Sequence, residues 1–209
     1  MCGLRGADGW PCYDGRMSVA LGKPMTMAEF LEWEERQELR YEFDGFEPVA
    51  MTGGTFAHER IGGNIRGELR NRLRGTPCVV VGPTLKIEVA GRIRYPDAFV
   101  LCSPASRNAT VMREPVVVFE VLSESTARTD HIEKLREYAA TTSIQRYVIL
   151  EQDSIGAMVF TRKDGQFVAE TLTEGDTLHM PEIGVEVAMA DFYEGVEMPA
   201  GSAGMPGTA

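Results

Sequence analysis

The sequence predicts a domain of the α/β (α+β) class, in which helices pack on a central mixed β-sheet. Residues 57–74 carry an apolar residue at every fourth position, which is typical of an amphipathic helix. Short apolar runs such as 116–122 have the length and the β-branched composition of buried strands. The order is one helix, several strands, a second long helix and further strands, which is typical of a mixed sheet with helices packed on it.

One folded domain with an extension at each end is expected. The chain has 209 residues, of which 44% are hydrophobic, enough for a sizeable core. Residues 1–24 and 197–209 are rich in Gly and Pro and lack periodicity, so we expect them to be disordered. The folded domain is therefore expected to span residues 25–196.

The first half of the domain has clear boundary signals. Thr26 and Glu29 form a capping box at the start of a short helix that runs to about Leu39. Residues 41–51 alternate around an Asp-Gly turn and predict a hairpin. The helix over residues 57–74 follows, with an apolar stripe and Gly75 as its stop signal. Strands are expected over 79–81, 85–89 and 98–102.

The second half begins with the apolar strand over residues 116–122. A helix over about 130–140, capped by Thr129 or Asp130, has Ile132, Leu135 and Ala139 as its apolar members. Further strands are expected over 146–150, over 157–160 and 167–170 as a hairpin, and over 185–187. A turn of helix near 190–194 ends the domain.

The net charge of -10 counts against a general nucleic-acid binder, because phosphate backbones require a basic surface. An acidic metal site would account for part of this charge. A local basic face is also available, because five arginines fall within the predicted helix over 57–74: Arg60, Arg66, Arg70, Arg72 and Arg74.

Cysteine spacing and hydropathy predict the compartment. The four cysteines (Cys2, Cys12, Cys78 and Cys102) lack any metal-binding spacing, so we expect free thiols. No apolar run reaches the ~18 residues of a membrane span, and the N-terminus lacks the apolar segment of a signal peptide. These features predict a cytoplasmic protein without a membrane partner.

Two carboxylates stand out because they lie in apolar strand segments. Asp97 follows Tyr95-Pro96 at the start of one strand, and Glu120 shares a strand face with Val118 and Leu122. Carboxylates on neighbouring strands suit Mg²⁺ or Mn²⁺, which prefer oxygen ligands and can promote attack of water on a phosphodiester. The alternative from spacing alone is that Asp97 caps a turn and Glu120 pairs with an arginine.

An ordered set of short motifs resembles the Uma2 family of restriction-type endonucleases, within the PD-(D/E)XK nuclease superfamily. The resemblance covers residues 25–195 and rests on the following segments: Arg40-Tyr41-Glu42-Phe43-Asp44-Gly45, Gly53-Gly54 with His58, Tyr95-Pro96-Asp97, Glu120-Val121-Leu122-Ser123-Glu124-Ser125-Thr126, and Asp130, Lys134 and Tyr138 at four-residue spacing. It implies a restriction-endonuclease-like core and an endonuclease that cuts double-stranded DNA with Mg²⁺ or Mn²⁺. It also allows a homodimer, because such enzymes must cut two strands.

The resemblance implies that Asp97 and Glu120 bind metal and take part in catalysis, with Glu42 as a further metal ligand. The superfamily pattern has a lysine two residues after the glutamate, where this chain has Leu122. Lys134 is the first candidate to replace it, although it lies about 160° from Ile132 and so off the apolar stripe of its helix. Lys86, on an earlier strand, is the second candidate.

Other positions keep a structural reading beside the functional one. Glu42 could instead form a cross-strand salt bridge, and His58 is expected to cap its helix rather than contact phosphate. Ser123, Ser125 and Thr126 are expected to shape a turn and to contact backbone phosphate, and Asp130 to cap a helix. The alternative function is a non-catalytic interaction domain that retains the nuclease fold, a reading favoured by the net charge and by Leu122.

Overall fold

The computed structural model describes residues 24–51, 53–122 and 128–199, with only the backbone for 128–130. The proposed roles of Ser123, Ser125 and Thr126 therefore lie outside the described residues, as does most of each predicted disordered terminus. The helix predicted over about 130–140 begins at Arg128, so Thr129 and Asp130 lie within its first turn and the prediction that one of them is its N-cap is wrong. The helices are α1 (Met27–Glu34), α2 (Phe56–Arg72) and α3 (Arg128–Ala140), and Met189–Tyr193 forms a short 3-10 helix. The strands are β1 (Tyr41–Phe43), β2 (Pro48–Ala50), β3 (Val79–Val81), β4 (Lys86–Val89), β5 (Arg92–Arg94), β6 (Ala98–Leu101), β7 (Val111–Met112), β8 (Val117–Val121), β9 (Arg146–Leu150), β10 (Gly156–Lys163), β11 (Gln166–Thr173), β12 (Thr177–Met180) and β13 (Val185–Ala188).

The predicted fold class is confirmed, with the strands divided among three sheets. The central sheet has six strands in the order β11-β10-β9-β8-β6-β3 and is mixed, because β8 and β9 are parallel while the other pairs are antiparallel. A five-stranded sheet has the order β2-β1-β5-β4-β7, and β12 pairs with β13. The sequence did not predict strand β5, the two-residue β7 or strand β12.

Helix α2 covers one face of the central sheet. Thr55 caps it by accepting a hydrogen bond from the His58 amide, so the prediction that His58 is the cap is wrong. The predicted stripe is buried, with Ile61, Ile65 and Leu69 fully inaccessible. These residues pack with Val117, Phe119 and Val121 of β8, because alternate residues of a strand face the same side.

The side of β8 that carries Glu120 packs with α3, and here the predicted stripe is only partly correct, because Leu135 packs against the apolar cluster but Ile132 does not. Ile132 is 47% exposed, whereas Lys134, Glu137 and Tyr138 are buried. Their spacing of three and four residues places them on one helix face. This face turns inward because its charged and hydroxyl groups find partners on the neighbouring strands, as described below.

The N-terminal elements form a smaller layer on the five-stranded sheet. The capping box between Thr26 and Glu29 is confirmed, although α1 ends at Glu34 rather than near Leu39. The predicted hairpin is also present as β1 and β2, and Asp44 Oδ1 accepts hydrogen bonds from two amides of its turn. Phe30 of α1 stacks on Phe43 at 4.9 Å between ring centroids, which attaches the helix to β1.

The prediction of free thiols is wrong for two cysteines, because Cys78 and Cys102 form a disulfide. The antiparallel register of β3 and β6 pairs Val79 with Leu101, so the next pair outward is Cys78 with Cys102. Sequence spacing missed this bond because it joins residues 24 positions apart. None of the helices within the described ranges combines the length and hydrophobicity that a bilayer crossing requires.

Candidate nuclease site

Asp97 and Glu120 meet at the same end of two neighbouring strands. Strands β6 and β8 pair antiparallel with Ala98 opposite Phe119, and continuing this register by one residue places Asp97 opposite Glu120. Pro96 precedes Asp97, and its missing amide limits further strand pairing at this point. The two acids singled out by their apolar surroundings are therefore adjacent across the sheet.

The Asp97 carboxylate is held by one group from β8 and one from α2. Its Oδ2 accepts a hydrogen bond from the Val121 amide at 2.8 Å, and its Oδ1 accepts one from His58 Nε2 at 2.7 Å. The hydrogen bond to Asp97 raises the pKa of His58 above its usual value, while burial opposes the shift. His58 was expected only as a cap or a phosphate contact. Its pairing with Asp97 makes it a further residue of the site.

Glu120 is buried and is bound by two side chains of α3. Lys134 Nζ donates to Oε2 at 3.2 Å, and the Tyr138 hydroxyl donates to Oε1 at 2.8 Å. Burial raises the pKa of Glu120; the charge of Lys134 opposes the shift, and the charges of Glu42 and Asp97 add to it. The four charged groups therefore influence one another within one electrostatic cluster.

Glu42 lies at the edge of this cluster, within a network of buried ion pairs. Its Oε1 accepts from the Tyr95 amide at 3.0 Å and lies 3.8 Å from Lys134 Nζ, and its Oε2 accepts from Arg94 Nη1 at 3.1 Å. Arg94 also binds both oxygens of Glu137 at 2.7 Å. The cross-strand salt bridge and the position near the metal candidates, offered as alternatives for Glu42, are thus both present.

Lys86 lies in a separate buried cluster. Its ammonium pairs with Glu34 of α1, and the Tyr95 hydroxyl donates to the other oxygen of Glu34 at 2.7 Å. Burial raises the pKa of Tyr95, which keeps this hydroxyl protonated. Lys86 thus anchors α1 to β4, whereas Lys134 contacts Glu120 directly.

Leu122 takes the position where the nuclease superfamily keeps its lysine. Its backbone amide donates to Leu150 O at 2.8 Å, and its side chain packs against the same apolar cluster as Val118. Lys134 reaches Glu120 from the helix that covers this face. The cation beside Glu120 is therefore Lys134, which comes from α3 and not from position 122.

The candidate metal ligands are carboxylates that protein groups already engage. Glu42, Asp97 and Glu120 supply hard oxygen atoms whose negative charges add, as Mg²⁺ and Mn²⁺ require. Across the described residues, no group of three or more His, Cys, Asp or Glu side chains is arranged to hold an ion as it stands. An ion at Asp97 and Glu120 would replace His58 or Lys134 as the partner of a carboxylate oxygen.

The arginines of the predicted basic face are largely occupied by acceptors of the protein. Arg60 donates to Glu194 O, Arg72 pairs with Glu68 and Asp191, and Arg66 pairs with Glu59. Arg74 lies beyond the last residue of α2. The helix therefore does not present five free guanidinium groups.

The mixed sheet, its flanking helices and the carboxylates at adjacent strand ends define the restriction-endonuclease-like class. The chain belongs to the Uma2 family, described as "Putative restriction endonuclease", whose family profile matches residues 27–190. The resemblance seen in the sequence is thereby confirmed.

The chain also resembles two curated proteins and one solved structure. The chain is 31% identical to the uncharacterized protein slr1290 of Synechocystis sp. over 176 residues, covering 82% of this chain and 93% of that protein. It is 28% identical to the uncharacterized protein sll1609 of the same organism over 141 residues, covering 65% and 80%. The crystal structure of a "putative nuclease belonging to DUF820" from Anabaena variabilis ATCC 29413 shares the fold, with a TM-score of 0.69 at 15% identity, covering 82% of this chain and 98% of that one.

Proposed function

We propose that this protein is a metal-dependent endonuclease that hydrolyses phosphodiester bonds in double-stranded DNA. The observation that carries the proposal is the meeting of Asp97, Glu120 and the buried Lys134 at one end of adjacent strands, in a chain of the Uma2 family. A carboxylate whose pKa is raised by burial and by neighbouring acids, as that of Glu120 is, is typical of a functional site.

Asp97 and Glu120 would hold Mg²⁺ or Mn²⁺, with Glu42 as a further ligand. When bound, the ion supplies Lewis-acid stabilisation of the charge that develops on the phosphoryl oxygens. The protein contributes the orientation of its ligands, because the Val121 amide fixes Asp97 and the Tyr138 hydroxyl fixes Glu120. Both supports come from backbone or side-chain groups on regular elements, which keeps the acids in place.

Lys134 is proposed as the catalytic cation. Its ammonium is buried beside both acids, 3.2 Å from Glu120 Oε2 and 3.8 Å from Glu42 Oε1. From this position it can donate a hydrogen bond to an attacking water or to a phosphoryl oxygen as negative charge builds up. Lys86 does not serve this role in the proposal, because it is engaged with Glu34 in the other cluster.

Because the net charge is -10 and DNA is itself negatively charged, we expect DNA binding to depend on the metal ion and on a few local cations. A homodimer would bring two sites to the two strands of a duplex, in keeping with the closed symmetry of most oligomers. Light scattering of the protein with and without duplex DNA would measure the number of copies in the complex.

The test of activity uses supercoiled plasmid DNA with Mg²⁺ or Mn²⁺, and an RNA substrate in parallel. The wild type is expected to nick the plasmid, and Asp97→Asn and Glu120→Gln are expected to be inactive. Glu186→Gln is the matched control, because Glu186 is an exposed acid that pairs with His179 on β12. If no divalent ion supports cutting of DNA, or if Asp97→Asn cuts as fast as the wild type, the endonuclease assignment is wrong.

A non-catalytic interaction domain is the second candidate. The observation that favours it is the engagement of each acid of the cluster by protein donors, with Leu122 at the usual lysine position. Calorimetric titration with Mn²⁺ separates the two functions, because only the endonuclease requires binding that is lost in Glu120→Gln. Wild-type protein that takes up no Mn²⁺ would support the interaction domain.

A further inference from the structure

Arg66 of α2 reaches the strand end that carries Asp97 by crossing two glycines. Its Nη1 donates to the backbone oxygen of Asp97 at 3.3 Å, and its Nη2 pairs with Glu59 at 2.8 Å. A Cβ atom at Gly82 would lie 2.9 Å from Arg66 Cδ, and one at Gly62 would lie 3.0 Å from Nη1. The absence of side chains at these two positions therefore creates the path that the arginine follows.

This arginine differs from its neighbours on α2 in what it contacts. Arg60 and Arg72 bind acceptors in or next to the short 3-10 helix, whereas Arg66 contacts the residue proposed as a metal ligand. Two hydrogen bonds use two of the five N–H donors of its guanidinium group. The group is thus fixed beside the carboxylates while it retains capacity to donate.

The side-chain partner of Arg66 is weakly held. The Glu59 side chain is 71% exposed, against 23% for Arg66, and an exposed ion pair contributes little because water competes for both charges. Glu59 binds Arg66 through one oxygen, whereas a phosphate group presents two non-bridging oxygens that match the fork of the guanidinium. An incoming phosphate can therefore replace Glu59 at small cost.

We propose that Arg66 forms a phosphate subsite beside the carboxylate cluster. This subsite binds a DNA phosphate next to the one that is cut. In the absence of DNA, Glu59 pairs with the Arg66 guanidinium in place of the phosphate. The proposal rests on the endonuclease function proposed above. It adds the residue that positions the DNA backbone and a carboxylate that competes for the same place. It also explains why α2 carries Gly62 at a buried position despite the cost of glycine to a helix.

The decisive experiment measures binding of a fluorescently labelled DNA duplex by anisotropy, at several salt concentrations, with Ca²⁺ and without Mg²⁺ or Mn²⁺. Arg66→Gln is expected to bind roughly tenfold more weakly and to lower the slope of log K against log salt by about 0.9, the value for one lost phosphate contact. Glu59→Gln is expected to bind several-fold more tightly, and this gain should vanish in the double variant with Arg66→Gln.

Two matched pairs separate position from charge. Gly62→Ala places a methyl group 3.0 Å from Arg66 Nη1, so the guanidinium must shift, whereas Gly63→Ala makes the same change one residue on, where a Cβ would meet nothing within 4 Å. Both gain helix propensity, but only the first is expected to weaken binding and lower the salt slope. Glu68→Gln also removes a charge from an ion pair on α2, and it should tighten binding less than Glu59→Gln.

The results also separate this subsite from the proposed chemistry. If Arg66→Gln and Gly62→Ala bind with the wild-type affinity and salt slope while Asp97-dependent cutting persists, the subsite is refuted and the endonuclease stands. If the variants change binding as expected but no divalent ion supports cutting, the subsite stands and the catalytic assignment falls. Wild-type protein that does not bind the duplex at all overturns the subsite.

Discussion

Replacing Arg94 with methionine tests how much the buried ion-pair network stabilises the domain. Arg94 is 2% exposed and binds Glu137 through two hydrogen bonds and Glu42 through a third. Burial alone would lower the pKa of Arg94, but the hydrogen bond to Glu137 and the charges of both acids outweigh it and raise the pKa. The guanidinium is therefore charged at every pH at which the protein folds.

The expected loss follows from which charges stay unpaired. Removal of one partner from a buried ion pair costs about 3–5 kcal/mol, because the remaining charge is uncompensated. Without Arg94, Glu137 still has Arg92 as a partner, with Arg92 Nε 2.8 Å from its Oε1. Among the described residues, Glu42 would retain the Tyr95 amide and the more distant Lys134. We therefore expect a loss of about 3 kcal/mol, at the lower end of that range.

Urea unfolding followed by circular dichroism measures this loss, and thermal unfolding provides a second readout. A domain of this size loses about 2–4 °C of Tm per kcal/mol, so Arg94→Met should lower Tm by about 6–12 °C. Arg36→Met is the matched control, since Arg36 pairs with Glu32 on the surface of the N-terminal layer and its loss should cost less than about 1 kcal/mol. An Arg94→Met protein within 1 kcal/mol of the control would refute the reasoning.

Three further predictions concern catalysis, the disulfide and a helix start. Lys134→Met should slow plasmid cutting about 100-fold or more at saturating Mg²⁺, because a preorganised cation is lost; a wild-type rate would remove Lys134 from the mechanism. Reduction of Cys78–Cys102, which are 24 residues apart, should lower the free energy of unfolding in urea by about 3 kcal/mol, and an unchanged midpoint with reductant would contradict this. Thr26→Ala should cost about 1 kcal/mol and speed hydrogen exchange at the Glu29 amide; unchanged exchange would show that the capping bond does not protect it.

Local signals in the sequence were sufficient for much of the fold. The capping box at Thr26 and Glu29 acts within three residues, and the stripe of α2 repeats within one helix, so both are readable without tertiary contacts. The alternation in β8 likewise placed Glu120 on the face opposite Phe119. Each of these features depends on neighbours in the chain and on the geometry of one element.

The errors arose where a residue's partner lies on another element. Lys134 turned inward and Ile132 outward because the buried face of α3 is polar, and a hydrophobic pattern cannot report a polar face that is satisfied by distant acids. His58 pairs with Asp97, 39 residues away, rather than capping its own helix. A signal was present in the four-residue spacing of Lys134 and Tyr138, which puts both on one helix face.

The sequence by itself determined the family, the fold class and the two acids at unusual positions in apolar strands. It could do so because ordered motifs and strand periodicity are properties of the chain. Tertiary structure alone decided which groups surround those acids: His58 on Asp97, Lys134 and Tyr138 on Glu120, and the path of Arg66 across two glycines. The physical reason is that the energy of a buried charge depends on the position of its partners in space, and packing of α2 and α3 on opposite faces of the sheet sets those positions.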